Sequence, residues 1–238
     1  MDFIKAAKYR DKKYMDLIMG PNPLKLTEEL LNGCKIKKNA VVCDLGSGEG
    51  LTSAFIAKEY GFKVYAADLW SEPESHVPFF KSFGLSDNEI VPVKADATDL
   101  PFEKEFFDAI ISIDAYNYFG RSEGFLDEKI LPFLKRGGYV YLAIPGMKKN
   151  LHDNLPEELL VSWTKEQLEY MLDVKYWKTL LGKSKDGELI SITEMDCTES
   201  AWKDWVVQDN DYARGDKKAV DAGALKYLNT IAAVIKKR

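Results

Sequence analysis

The chain has 238 residues, 46% of them hydrophobic, and a net charge of −5. That length fits one α/β domain with an appended cap better than two full domains, and the apolar share is enough for a sizeable core. The acidic balance, with no basic block beyond Lys236-Lys237-Arg238, weighs against a nucleic-acid partner; the three cysteines (Cys34, Cys43, Cys197) show no C-x-x-C spacing and give neither a disulfide framework nor a zinc pattern.

In chain order, Tyr14, Leu17 and Ile18 fall at helical spacing, so residues 1–20 are expected to hold a short amphipathic helix. The turn Gly20-Pro21-Asn22-Pro23 stops it, because proline cannot continue a helix. A helix is expected over 24–31, with Gly33 as its C-cap. The apolar run Val41-Val42-Cys43 then reads as a buried strand over 41–45. That strand stops at Asp44-Leu45-Gly46-Ser47-Gly48-Glu49-Gly50, and a helical pattern runs from Leu51 to Tyr60. Strand, glycine loop and helix in this order let backbone approach a ligand closely and present the free N–H groups of a helix start.

Further strands are expected over 63–67, ending at Asp68, and over 90–94, ending near Ala95-Asp96-Ala97. Two more are expected over 107–113, ending at Asp114, and over 139–144, closed by Pro145-Gly146. Between them, residues 71–78 read as a loop opening a helical stretch, 125–134 as a helix, and Gly137-Gly138 as a turn. Strands alternating with helices imply a parallel sheet covered on both faces, with ligands beyond the carboxyl ends of the strands at the switch point. Asp44, Asp68, Asp96 and Asp114 each sit at or near such an end.

After residue 147 the pattern changes. Residues 148–163 are polar and turn-rich, and Thr164-Lys165-Glu166-Gln167 opens a helix with a capping box. A strand over 189–195, a helix over 200–207 carrying Trp202 and Trp205, and a closing strand over 231–235 follow.

The glycine spacing excludes the dinucleotide fingerprint, whose third glycine would fall at Leu51. An acid two residues before the first glycine would repel a pyrophosphate and suits a cationic, hydroxyl-bearing ligand. The pattern D-x-G-x-G-x-G resembles motif I of the class I S-adenosylmethionine-dependent methyltransferases. Leu134-Lys135-Arg136-Gly137-Gly138 resembles that family's L-K-P-G-G turn, with Arg136 in place of proline.

The resemblance covers about residues 24–146. It implies a Rossmann-like, doubly wound sheet of seven strands, mostly parallel with an antiparallel last strand and helices on both faces. It implies S-adenosylmethionine as cofactor, with Gly46, Ser47, Gly48 and Gly50 under its methionine and ribose and Asp44 accepting from its ammonium, directly or through water. Asp68 would take the ribose diol, which suits a carboxylate's paired acceptors. One of Leu69 and Trp70 would cover an adenine face. Asp96 would accept from the adenine amino group, with Asp99 as the other choice, and the Ala97 N–H would donate to the ring.

The run Ser112-Ile113-Asp114-Ala115-Tyr116-Asn117-Tyr118-Phe119 falls where the family places the transferred methyl and its acceptor. It resembles small-molecule amine methyltransferases, including the phosphoethanolamine group, with Tyr118 where a histidine is usual. Asp114, Tyr116 and Tyr118 are therefore the candidate catalytic residues. Tyr116 and Tyr118 read equally well as packing aromatics. Tyr9, Tyr14, Tyr116, Tyr118, Trp202 and Trp205 are candidates for an aromatic cage around a cation, and the tryptophans equally for packing. His152 is placed either over the site or at the surface.

The expected organisation is a lid segment over 1–23 and a single domain over 24–238, with cap elements at about 147–188 and 197–227. The expected activity is methyl transfer to a small molecule by in-line displacement. A lipid-modifying relative of the cyclopropane fatty acid synthases and a non-catalytic cofactor-binding module are the competing readings. With two histidines no metal site is expected, and neither a membrane span nor a signal peptide is expected, which points to the reducing cytoplasm.

Overall fold

A computed structural model describes residues 2–238. A 3-10 turn (Ala6–Tyr9) and the single-turn α1 (Lys12–Met15) open the chain, followed by α2 (Pro23–Leu30), β1 (Val41–Leu45), α3 (Leu51–Tyr60), β2 (Lys63–Asp68) and α4 (Pro73–Ser82). Next come β3 (Ile90–Lys94), β4 (Phe107–Ile113), the single-turn α5 (Tyr116–Phe119) and β5 (Leu134–Met147). The rest comprises α6 (Glu157–Leu160), α7 (Lys165–Leu168), α8 (Val174–Leu181), β6 (Gly187–Glu194), α9 (Thr198–Trp205), α10 (Asp211–Ala222) and β7 (Leu228–Lys237).

The seven strands form one sheet in the order β3-β2-β1-β4-β5-β7-β6. β1 to β5 pair in parallel, while β7 runs antiparallel to both β5 and β6. This is the Rossmann-like arrangement expected from the sequence. Strand side chains alternate between two cores. Val42, Val64, Ala109 and Ile111 pack on one side with α2, α3 and α9, whereas Cys43, Leu45 and Ile110 pack on the other with Trp177 of α8. The order reverses between β1 and β4, so a crevice opens beyond their carboxyl ends.

Several elements differ from their sequence patterns. Residues 1–20 do not form one amphipathic helix; α1 stops at Met15, and Ile18 reaches the core through an irregular segment. The stretch expected as a helix over 125–134 is a π turn (Leu126–Ile130) followed by a 3-10 turn (Leu131–Phe133), because Pro132 lacks the N–H that an α-helix needs. Gly137-Gly138 lies inside β5 as a bulge, where pairing jumps from Phe107↔Leu134 to Ala109↔Tyr139. A Cβ on Gly138 would meet the Asp108 carbonyl at 2.8 Å, which explains the second glycine. α8 and α10 were not marked by the sequence pattern. The capping box at Thr164 is present, with its side chain accepting from the Gln167 N–H.

Candidate active site

The loop after β1 is built on left-handed backbone. Gly46, Gly48 and Gly50 have φ of 80°, 51° and 80°, a region open to glycine at no steric cost. A Cβ on Gly46 would lie 2.5 Å from the Ala115 Cβ, so the loop touches the end of β4 directly. Gly50 also forms the N-cap of α3.

Asp68 ties this loop to the end of β2. Its Oδ2 accepts from the Gly48 N–H (2.9 Å) and its Oδ1 from the Trp70 (2.8 Å) and Ser71 (3.2 Å) N–H groups. The Ser71 hydroxyl donates to the Gly48 carbonyl at 2.9 Å. Asp68 thus stands at the cleft with its orientation fixed and acceptor capacity to spare.

Together these residues line an open cleft of about 400 Å³, bounded by Leu17–Pro21, Gly46–Glu49, Asp68, Trp70 and Asp114. Trp70 is 86% exposed and flanks Asp68, a free aromatic face beside a ribose-type acceptor. Leu69, also exposed, does not line the cleft.

Asp44, at the end of β1, stands behind the glycine loop. Only 1% exposed, it is absent from the cleft wall, and its Oδ2 accepts from the Ser53 hydroxyl of α3 at 2.6 Å. Burial pushes its pKa up to about 7, helped by the Asp68 charge and opposed by the Ser53 hydrogen bond. Two buried acceptors, Asp44 Oδ1 and Ser47 Oγ, have no partner among the described residues. The fit to a cationic, polyhydroxylated ligand therefore rests on a glycine cradle, an oriented carboxylate at its rim and polar atoms left unsatisfied behind it.

Asp96 is exposed and closed on itself, its Oδ1 accepting from the Thr98 N–H (2.8 Å) and hydroxyl (2.7 Å). Those two hydrogen bonds hold its pKa below the usual carboxylate range. Asp99 pairs back on it through an isolated bridge. Neither Asp96 nor Ala97 reaches the cleft lining, although the Ala95 N–H bonds the Asp68 carbonyl (2.8 Å) and so carries this segment alongside.

At the end of β4, Asp114 adopts a left-handed conformation, φ 58°, uncommon for a residue with a side chain. Its N–H is held by the Ala143 carbonyl at 2.9 Å. Asp114 lines the cleft and also a second, adjoining cavity of about 280 Å³. Burial and then the nearby Asp216 carboxylate push its pKa up to about 7.

The second cavity separates the candidate aromatic residues. Tyr118 and Trp202 line it. Tyr116 does not: 1% exposed, it packs against Phe119, Phe125 and Trp177 in the opposite core, and its hydroxyl has no partner. Tyr9 and Tyr14 join Phe55 and Phe83 in a separate aromatic cluster, Tyr9 stacking on Phe83 at 5.1 Å. Trp205 lies behind the wall, donating from Nε1 to Asp216 Oδ2 at 2.8 Å. His152 is off the lining too, its ring nitrogens bonded to Asn150 Oδ1 (2.8 Å) and the Leu168 carbonyl (3.0 Å).

Sequence reasoning missed Trp163, Tyr170 and Asp216, all of which line this cavity. Trp163 Nε1 donates to Asp216 Oδ1 at 2.9 Å, so two indoles grip one carboxylate. The available signal was spacing: Ala213, Asp216 and Ala219 share one face of α10, and both alanines are buried. A carboxylate on that stripe stands out against the solvated charges around it.

Residues 43–142 match the family model described as a methyltransferase domain. A demethylmenaquinone methyltransferase of Clavibacter sepedonicus is 40% identical over 103 residues, 43% of this chain and 40% of the relative. The chain thus spans less than half the length of that curated relative. The fold is similar to geranyl diphosphate C-methyltransferase from Streptomyces coelicolor, solved with Mg2+, geranyl diphosphate and S-adenosyl-L-homocysteine (TM-score 0.70, 13% identity, 90% of this chain and 79% of that one). It is also similar to a Haemonchus contortus phosphoethanolamine N-methyltransferase 2 in complex with phosphomonomethylethanolamine and S-adenosylhomocysteine (TM-score 0.71, 18% identity, 99% and 60%). At these identities the likeness establishes the fold alone.

Proposed function

We propose that this chain is a class I S-adenosylmethionine-dependent methyltransferase and transfers a methyl group to a small-molecule acceptor, a reading supported by the family-model match over residues 43–142. The observation that carries this reading is the joining of two cavities at Asp114. One has the cradle and carboxylate of a nucleoside site; the other is a smaller space at the tip of the adjacent strand.

S-adenosylmethionine, when bound, supplies an already activated methyl on a sulfonium. Gly46, Ser47 and Gly48 would lie under its methionine and ribose, and Asp68 would accept from the ribose diol. The adenine end falls to Trp70 and, one strand further on, to Asp96 and the Ala97 N–H. Asp44 stands behind the loop with Oδ2 on Ser53, and its unpartnered Oδ1 would accept from the ligand's ammonium, directly or through water. The protein's contribution to the reaction is alignment and exclusion of water. Asp114 and Tyr118 are the residues at the acceptor side. Tyr116 shapes the loop from the core.

Residues 1–23 fit the part of a lid, since Leu17–Pro21 close one side of the cleft. The elements at about 147–188 and 197–227 supply the cap, which contributes Trp163, Tyr170, Trp202 and Asp216 to the second cavity. A nucleic-acid acceptor is disfavoured by the net charge of −5 and by the two carboxylates in that cavity. Among the described residues no helix is long and apolar enough to cross a membrane. Three free cysteines, two of them buried, fit a reducing compartment such as the cytoplasm.

Isothermal titration of the full chain with S-adenosylmethionine and S-adenosylhomocysteine tests the reading. Saturable one-to-one binding of both is expected. No heat with either, on protein that melts cooperatively, overturns it.

A further inference from the structure

The second cavity is small, aromatic and anionic. Two ring pairs line it: Trp163 with Trp202 (centroids 5.8 Å apart, 66° between planes) and Tyr118 with Tyr170 (5.5 Å, 45°). Among the described residues, Asp114 and Asp216 are its only charged lining groups, and no lysine, arginine or histidine lines it. The Arg121 guanidinium lies over the Tyr170 ring, 4.0 Å from its centroid, and stands outside the lining, as does Arg214 on the helix of Asp216. Two half-buried carboxylates beside four aromatic rings, of which Tyr118 is 65% exposed, make a space that disfavours phosphates and carboxylates and attracts a compact cation.

We propose that the acceptor is a small primary or secondary amine, bound as its ammonium between Asp216 and the four rings and deprotonated by Asp114. This rests on the reading of the adjoining cleft as the S-adenosylmethionine site.

The two carboxylates differ in their surroundings, and that assigns their roles. Both oxygens of Asp216 accept indole N–H groups, at 2.9 Å from Trp163 and 2.8 Å from Trp205. The carboxylate is held still, which suits an anchor: burial raises its pKa, and the two indole hydrogen bonds oppose that rise. Asp114 has no side-chain hydrogen-bond partner among the described residues and faces both the cleft and the cavity, which suits a proton acceptor at the reacting atom. Burial beside Asp216 raises its affinity for a proton toward neutrality, as a general base requires.

In the step itself the ammonium gives one N–H proton to the Asp114 carboxylate. The freed lone pair forms the new N–C bond to the methyl as the C–S bond breaks, its electron pair remaining on sulfur. Sulfonium becomes thioether, and the positive charge passes to the product ammonium. The proton on Asp114 leaves to water with product release. Alcohol acceptors lack both the charge that Asp216 binds and the ready lone pair.

The test is titration of wild-type protein already saturated with S-adenosylhomocysteine, read by calorimetry and by tryptophan fluorescence. Trimethylammonium is the cationic probe, tert-butanol a compact neutral one and pivalate a compact anionic one. The expected result is trimethylammonium binding about tenfold tighter than tert-butanol, with fluorescence quenching and no detectable pivalate binding. Asp216→Asn should weaken trimethylammonium by about tenfold while leaving S-adenosylhomocysteine affinity within about twofold. If that variant does not fold, the wild-type comparison still decides. Equal binding of the ammonium and the alcohol, or a preference for pivalate, overturns the amine assignment and leaves the cofactor site standing. Failure of S-adenosylhomocysteine to bind at the outset overturns both.

Discussion

Gly20 rests against Asp114 so closely that a Cβ built on it would lie 2.5 Å from the Asp114 Oδ2. The contact joins the N-terminal segment to the tip of β4, at the point where the two cavities meet.

Gly20→Ala should therefore act at a distance from any loop strain, because the Gly20 backbone is not left-handed. The added methyl has to push either the 17–21 segment or the Asp114 carboxylate aside. Overpacking of this kind destabilises by about 1–3 kcal/mol. A lower melting temperature together with weaker S-adenosylhomocysteine binding is expected. Unchanged binding would show that the segment is not part of the cleft wall in solution.

Asp68→Ala removes the acceptor of three backbone N–H groups as well as the proposed ribose partner. Loss of hydrogen bonds to a charged group, at about 1.5–3 kcal/mol each, predicts at least a tenfold loss of cofactor affinity. Asp96→Ala should be milder, since Asp96 is satisfied by Thr98 within its own turn. Calorimetry on the two variants ranks them; an equal or reversed ranking would place the ribose contact elsewhere.

The pH dependence of stability follows from Asp44 and Asp114, whose pKa values are both raised to about 7 in the folded protein from an ordinary 3.8. Between those values the folded state binds more protons than the unfolded one, so stability falls as pH rises from about 4 to 7. Each group contributes a slope of about 1.4 kcal/mol per pH unit at most. Asp44→Asn should flatten the curve measured by urea unfolding at pH 5, 6, 7 and 8. A slope identical to wild type would mean that Asp44 is ionised throughout.

Tyr116→Phe and Tyr118→Phe should separate cleanly. The Tyr116 hydroxyl is buried without a partner, so its removal should leave turnover intact and raise stability by up to about 1 kcal/mol. Tyr118 lines the acceptor cavity and its pKa is raised by burial, then by Asp114 and Asp216. Its phenylalanine variant should keep the ring face and alter the pH–rate profile. A large loss of turnover in Tyr116→Phe would return that residue to the reacting centre.

The glycine loop and the strand-end acids that line the candidate cleft were legible in the chain, because these parts are local. A strand that stops at an acid, three alternating glycines and a helix start need only the backbone preferences of Asp44 to Leu51, and Asp68 ends the next strand by the same logic. The sheet followed too, since strands alternating with helices leave one handed way to pack. Locality does not give depth: Asp44 sits in the motif with one oxygen on Ser53 behind the loop, and Tyr116 follows β4 yet points into the opposite core.

What the sequence settled by itself was the class of fold and the glycine loop at the end of its first strand, both matters of short-range geometry and spacing. What only the folded chain decided was the second cavity. Trp163, Tyr170, Trp202 and Asp216 come from three separate stretches after β5, and no spacing links them. They meet because α7, α9 and α10 fold over the tip of β4, where burial gives two distant aspartates one shared field.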